Sequence, residues 1–469
     1  MTYLPVEPLP DDIVASKTAY RPDQAFNAPY VPLASAFAAG TDTPRDFLER
    51  SLAAFDSREP SVRAFVVIDK TAARAKADAA SQRWASGTQL SPVDGMPVGV
   101  KDMIETSDFP TQMNSPIYKN WHSHRDAACV WALKQAGAYV LGKTVTTEFA
   151  CGNSGPTRNP YDSDRTPGGS SSGSAASVGA GMVPLALGTQ TQASTLRPAS
   201  FCGAYALKPS HGAVNVGGIT PLSPTQDHLG VIGASLEDVW SSSIVMARKA
   251  GGTPPHAGIS GPEHLPDAVM PRSLVRLDMR GWQETDSVSQ QVFEAAIERM
   301  AAQGVRIIDR HNDPEIEALE AEIIAASEYS YDIFSWEAQW PLRSYYDHGP
   351  HMVGKRIHEL LSHTSKMTPD DYKRAFQQRE VFRAKVERIR TKADAFVSPA
   401  SSGPAIVNHD YTGSRSYPTP WTLVAGPAFA LPVMSAEDLP FGLQLAGYRD
   451  SDTQTCAIAH WLRDLMLPN

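Results

Sequence analysis

The chain has 469 residues, 42% hydrophobic and 20% charged, which are the proportions of a folded globular protein and exclude a disordered or fibrous one. There are 42 Lys and Arg against 51 Asp and Glu, a formal net charge of −9 with no basic block, which argues against nucleic acid as a partner. No run of about 18 apolar residues exists, so no membrane-spanning helix is expected. The start, Met1–Pro8, lacks the basic and apolar stretches of a secretory leader. Cys129, Cys151, Cys202 and Cys456 are far apart and form no CxxC pair. They read as reduced thiols of a cytoplasmic protein, without a disulfide frame or metal site.

Six prolines within the first 32 residues make residues 1–40 an arm lying over the domain, neither a long helix nor a central strand. Helical patterns follow over Arg45–Glu59 and Thr71–Trp84. Met96–Met103 predicts a short strand with a polar end. Asp126–Ala136 predicts a helix closed by Gly137, and Ala138–Leu141 a strand. Asn153–Gly169 is a polar, proline-containing loop. Gly168–Gly188 is rich in Gly, Ser and Ala, and strands and turns continue to about Val231. Residues 287–392 change to helices, among them Val292–Ala302, Glu315–Ala326 and Tyr372–Thr391. Apolar strands return at Asp394–Pro399, Pro427–Met434 and Leu443–Gly447. Strands at both ends with helices between predict one α/β domain over 1–469: a central sheet with a helical insertion at 287–392.

Three motif matches compete. Gly137–Thr144 fits the phosphate-loop pattern GxxxxGK[ST], but a helix precedes it and Ala-Tyr-Val-Leu are strand formers, so a helix–Gly–strand turn is the better reading. Gly169-Ser-Ser171-Ser-Gly173 fits the GxSxG nucleophile elbow, but an elbow needs a hydrophobic strand before it, and Pro160–Pro167 is loop chemistry. The third is a constellation: Gly95-Met-Pro-Val-Gly-Val-Lys101, Pro167-Gly-Gly-Ser170-Ser-Ser-Gly-Ser, Gly188-Thr-Gln-Thr-Gln-Ala-Ser194-Thr-Leu-Arg197-Pro, and Leu207-Lys-Pro. With Thr147-Glu-Phe, Arg158-Asn-Pro, Gly426–Pro432 and Leu439–Gln444, this order of motifs resembles the amidase signature family. The resemblance is dense over residues 65–235 and returns over 394–450.

The resemblance implies a single large α/β domain with a twisted mixed central β-sheet flanked by helices. It implies Ser194 as nucleophile, Ser170 as bridging serine on a cis peptide, and Lys101 as base. It also implies an oxyanion hole from backbone N–H groups of Thr191, Gln192, Ala193 and Ser194; such donors contribute about 3–4 kcal/mol each. No cofactor is implied. The residues themselves support this chemistry. Lys101 follows the apolar run Val98-Gly-Val100 and so ends a buried strand, where an unpaired ammonium gives way to a neutral amine. A neutral amine accepts a proton, and a serine between it and a second serine passes one along. The sequence departs from the family's usual Gly-Thr-Asp-Thr-Gly-Gly-Ser-Ile-Arg at Gln190, Gln192, Ala193 and Arg197. Gln and Ala disfavour the positive φ that Gly tolerates, so the loop either keeps negative φ or stores strain.

Met103, Cys151, Gly152, Ser172, Arg197 and Trp336 are further candidates for lining the site. The aromatic stretch Tyr329–Tyr346 is read chiefly as core, with an apolar substrate cleft as the second reading. His122 and His124 have no third ligand in sequence and read as surface residues. The expected function is hydrolysis of the C–N bond of small, apolar or aromatic amides through an acyl-enzyme, with carbamates, hydrazides and esters chemically adjacent. The expected form is a monomer or homodimer. The transamidosome segment Tyr-Asp-Gly-Val-Arg-Tyr-Gly is absent, which argues against a tRNA-dependent role. Two rivals remain: an α/β-hydrolase-type esterase using Ser171, and a non-catalytic binding protein.

Overall fold

The computed structural model describes residues 1–4 and 16–467. One twelve-stranded sheet runs through the molecule, built from β1 (Thr2–Tyr3), β2 (Phe65–Ile68), β3 (Pro97–Lys101), β4 (Tyr139–Thr144), β5 (Leu185–Gln190), β6 (Tyr205–Lys208), β7 (His228–Gly233), β8 (Ser273–Arg276), β9 (Arg306–Ile308), β10 (Ala395–Pro399), β11 (Ala428–Ala436) and β12 (Leu439–Ala446). Their order is β1-β2-β4-β3-β5-β7-β6-β11-β12-β10-β8-β9. Pairing is parallel for β4/β3, β3/β5, β10/β8 and β8/β9 and antiparallel elsewhere, so the sheet is mixed, with helices on both faces.

Alternation along the central strands decides what each face holds. On β5, Leu185 and Leu187 enter one core and Ala186 the other. The Ala186 face is kept small because a helix lies close to it. A Cβ on Gly99 would sit 2.9 Å from Thr144 Cγ2, and one on Gly188 would sit 2.8 Å from Ser171 Oγ. The helix that needs this room is Ser172–Gly179, buried along its whole length, beside the equally buried Leu196–Cys202. Their Gly, Ser and Ala content follows from this: a Cβ at Gly173 would meet Val145 N at 2.4 Å, and one at Gly179 would meet Cys202 O at 2.0 Å.

Outside the centre the helices follow ordinary rules. Pro44–Val62 is capped by Thr43, and Pro369–Ile389 by a Thr368/Asp371 capping box. The segment 137–144 is β4, not a phosphate loop: Lys143 is buried and pairs with Asp102 at 3.3 Å. The insertion departs from expectation twice. Pro314–His348 is one helix of 35 residues carrying the whole aromatic stretch, with Pro341 inside it. β9 lies within the stretch expected to be wholly helical; three residues are too few to show a period. The N-terminal arm packs tightly where it is described, with Tyr20 and Tyr30 fully buried; residues 5–15 lie outside the described residues.

Candidate active site

Lys101 ends β3 two residues after Gly99, so it points to the face occupied by the Ser172–Gly179 helix. It is fully buried and has no ion pair among the described residues. Its Nζ lies 2.7 Å from Ser170 Oγ, 3.0 Å from Ser171 Oγ and 2.8 Å from Thr189 Oγ1. Burial holds the amine well below the ordinary lysine range, against weaker opposing pulls from Asp227 and Cys151. The shift favours the neutral amine, which has two N–H bonds and one lone pair.

The surrounding protons decide where that lone pair points. Ser171 has an acceptor for its own proton in Thr189 O at 3.2 Å, and receives Thr189 N–H at 3.2 Å. Thr189 Oγ1 has Met103 Sδ as acceptor at 3.4 Å. Both hydroxyls are thus free to receive N–H bonds from Lys101. Ser170 has no acceptor for its hydroxyl among the described residues except Lys101. The lone pair is left for the Ser170 proton, which is the polarity a base needs.

Ser170 and Ser194 both line the same cavity, and the Gly169–Ser170 peptide is cis. Ser171 N–H donates to Ser194 O at 3.2 Å, and Thr147 N–H to Ser170 O at 3.2 Å. Among the described residues no protein acceptor takes the backbone N–H of Gln192, Ala193 or Ser194, and all three residues border the cavity. Neither Gln192 nor Ala193 adopts positive φ, so the loop keeps ordinary backbone conformation without the usual glycines. Gln190 caps the Leu196–Cys202 helix: its Oε1 accepts from Thr195 N at 3.1 Å and Leu196 N at 3.2 Å, and its Nε2 donates to Thr422 Oγ1 at 3.3 Å. A neutral amide does there what a carboxylate would do.

The cavity measures about 500 Å³. Cys151, Gly152 and Arg197 line it; Met103, Ser172 and Trp336 do not. Met103 is buried behind Thr189, and Ser172 turns its hydroxyl to Val145 O at 3.3 Å. Trp336 stacks on Tyr372, at 5.8 Å between ring centres, on another side of the long helix. The Cys151 thiol is pushed up to about 12 by burial, so it stays protonated and unreactive. Arg197 is buried and donates to Gly413 O at 2.6 Å, Gly169 O at 2.5 Å and Thr412 Oγ1 at 2.9 Å. Its pKa is lowered to about 10 by burial, so it remains a cation.

Sequence reasoning passed over Thr189, Arg356 and Arg415; Tyr331 and Phe334 belong to the aromatic stretch read chiefly as core with a substrate cleft as second reading, and they border the cavity. Thr189 stands inside the quoted motif, but alternation puts it on the face of Leu187, away from the face toward which Lys101 points, so the pattern gave no signal for their contact. The elbow reading of Ser171 does not survive: it lies at the start of a helix after a loop, is fully buried, and hydrogen-bonds Lys101 and Thr189, not a histidine. His122 and His124 stack on each other at the surface, 4.1 Å apart. Among the described residues no three His, Cys, Asp or Glu side chains gather to hold a metal, and no helix is long and apolar enough to cross a membrane.

The family model described as Amidase matches residues 46–456. The chain belongs to the amidase signature family. Among curated amidase-family relatives it is 33% identical to a glutamyl-tRNA(Gln) amidotransferase subunit of Symbiobacterium thermophilum, over 90% of this chain and 93% of that one. It is 31% identical to the same amidotransferase component in Roseiflexus sp. strain RS-1, over 89% and 91%. A crystal structure of an amidase superposes with a TM-score of 0.78 at 25% identity, covering 93% of this chain and 99% of that one. The native peptide amidase of Stenotrophomonas maltophilia, 22% identical with a TM-score of 0.77, shares the fold over 93% and 96%.

Proposed function

We propose that this amidase-family enzyme hydrolyses the C–N bond of small amides through an acyl-enzyme on Ser194. Ser194 Oγ attacks the acyl carbon while its proton passes to Ser170, whose own proton passes to the Lys101 lone pair. The carbonyl oxygen becomes an oxyanion facing the N–H groups of Gln192, Ala193 and Ser194. The tetrahedral intermediate expels the amine, which leaves with the proton returned through Ser170. Water repeats the sequence at the acyl carbon, releasing the acid and restoring Ser194. The observation that carries this reading is a fully buried Lys101, without an ion pair among the described residues and with its pKa held well below the lysine range, at 2.7 Å from Ser170 Oγ.

The apolar or aromatic substrate expected from the sequence needs revision. Tyr331, Phe334, Leu222 and Leu360 give the cavity an apolar wall, but Arg197, Arg356 and Arg415 also border it. Carbamates, hydrazides and esters present the same acyl carbon and belong in the same assay. The test is a panel of primary amides, anilides, phenyl carbamates and hydrazides with wild type, Lys101→Ala, Ser170→Ala and Ser194→Ala. Turnover lost in Ser194→Ala, with an acyl adduct on Ser194 in wild type, supports the reading; labelling by a fluorophosphonate at Ser171 overturns it.

Similarity to amidotransferase subunits over nine-tenths of their length favours a second reading, in which ammonia released at Ser194 is handed to a partner. Glutamine hydrolysis that rises on adding partner proteins would select it; amide hydrolysis at full rate by the purified chain selects the free-standing hydrolase.

A further inference from the structure

One carboxylate close to the reacting groups has no place in the proton path above. Asp227 stands just before β7, whose ladder with β5 pairs Gln190 with His228 and Thr189 with Leu229. Continuing that register sets Asp227 opposite Thr191, and alternation puts both on the face of Thr189. Thr189 Oγ1 lies 2.8 Å from Lys101 Nζ. Thr191 Oγ1 donates to Asp227 Oδ1 at 2.7 Å, and Leu222 N–H and Ser223 N–H donate to Oδ2 at 2.8 and 3.0 Å. Thr191 and Leu222 both line the cavity, so this carboxylate joins two parts of its wall. Asp227 forms no ion pair among the described residues.

The turn that carries Asp227 is itself fixed. Glu337 of the long helix accepts from Ser223 Oγ at 2.6 Å and Thr225 N at 3.1 Å through Oε2, and from Thr225 Oγ1 at 2.7 Å through Oε1. Asp227 N–H closes back on Ser223 O at 2.7 Å. The loop Thr191–Ser194 has use for such an anchor. The peptide after Thr191 carries the Gln192 N–H, and it cannot turn far while the Thr191 hydroxyl is tied. Charge gives a second reason. Attack by Ser194 creates an oxyanion before this loop and an ammonium at Lys101, which has no ion pair. The ionisable groups facing Lys101 are Asp227 and Cys151, and Asp227 in turn faces Glu337. Cys151 stays protonated, which leaves Asp227 as the opposite charge. Burial pushes the Asp227 carboxyl up, and the three donors on its oxygens pull it back toward the ionised form.

We infer that Asp227 is a positioning residue for the hydrolysis: it holds the loop Thr191–Ser194 through the Thr191 hydroxyl and faces the positive charge that Lys101 gains with the Ser170 proton. This deepens the amidohydrolase reading above and rests on it. No proton reaches Asp227; the one on Lys101 returns through Ser170 to the departing amine. The two actions are separable, because one runs through a hydroxyl and the other through a charge.

The test uses the full-length protein and whichever amide of the panel above has the highest kcat/KM. Thr191→Val is expected to lower kcat about 10-fold, the worth of a hydrogen bond to a charged group, with KM within about twofold and the acid limb of the pH–rate profile in place. Thr191→Ser keeps the hydroxyl and restores the rate. Asp227→Asn is expected to lower kcat about 10- to 100-fold and to move the acid limb to lower pH, because the ammonium form of Lys101 loses the charge that favours it. A second readout needs no amide: the rate at which a fluorophosphonate modifies Ser194, followed against pH in the same variants. Where Asp227→Asn fails to fold, as its melting curve shows, Thr191→Val against Thr191→Ser decides, since both leave the Leu222 and Ser223 bonds intact. Thr191→Val at the wild-type rate, or an acid limb unmoved in folded Asp227→Asn, overturns the inference and leaves the hydrolase standing. Labelling of Ser194 that slows in both variants, in a protein that cleaves no amide, supports the inference and removes the hydrolase. No cleavage and no labelling removes both.

Discussion

The loop Thr191–Ser194 and the helix Pro314–His348 both border the cavity, but they are built differently. The loop follows a central strand, opens into a buried helix capped by Gln190, and is tied to its neighbours by backbone hydrogen bonds. The long helix contributes Tyr331 and Phe334 from one side while Trp340 stands 73% exposed on another. The first region sets backbone N–H groups and Ser194 at the cavity. The second shapes a volume, which tolerates side-chain exchange. Changes in the first should therefore appear in kcat and changes in the second in KM.

The sharpest way to break this contrast is Ser194→Ala, expected to lower kcat by about 10⁶-fold with the fold intact, as nucleophile removal does in serine hydrolases. Residual turnover above a hundredth of wild type would place the nucleophile elsewhere. Lys101→Ala and Ser170→Ala should each cost about 10²- to 10⁴-fold, the range for a general base. Lys101 acts only when neutral, so wild-type kcat/KM should climb as pH rises through its lowered pKa and then level off. That acid limb should vanish from the pH–rate profile of Lys101→Ala. An activity maximum near pH 5 contradicts the base.

Thr189→Val sharpens the comparison. It keeps the shape and removes one acceptor from the amine, for a loss of about 10-fold in kcat. An ammonium donates three hydrogen bonds and suffers more than the neutral form, so the acid limb should move to lower pH; a purely structural role would leave it in place. The smallest effect belongs to Trp336→Ala. Stacked on Tyr372 outside the cavity, it should change kcat/KM by less than about twofold while lowering the melting temperature by a few degrees.

This contrast also explains what was legible in the sequence. Lys101, Ser170 and Ser194 stand in short motifs whose small residues exist because a helix and a sheet approach closely, as Gly99, Gly173 and Gly188 show. A central sheet, several of its strands and several helices followed from apolar runs and caps; that the sheet is twisted and mixed came with the family resemblance. The cavity wall did not. Arg356 and Arg415 stand in segments with no pattern to distinguish them from solvated charges, and they reach Ser194 only through the fold. Trp336 looked like a wall residue because aromatic content was visible and helical phase across Pro341 was not. β9 was hidden by its length.

The guanidinium of Arg197 joins Gly169 to Gly413, a partner 216 residues further along. A growing polypeptide therefore has its serines long before it has the segment that closes around them. Nascent chains halted before residue 413 should be silent toward amides even though Lys101, Ser170 and Ser194 have all been synthesised. Proteolytic clipping in the 412–415 segment should lower amide turnover while Ser194 stays intact.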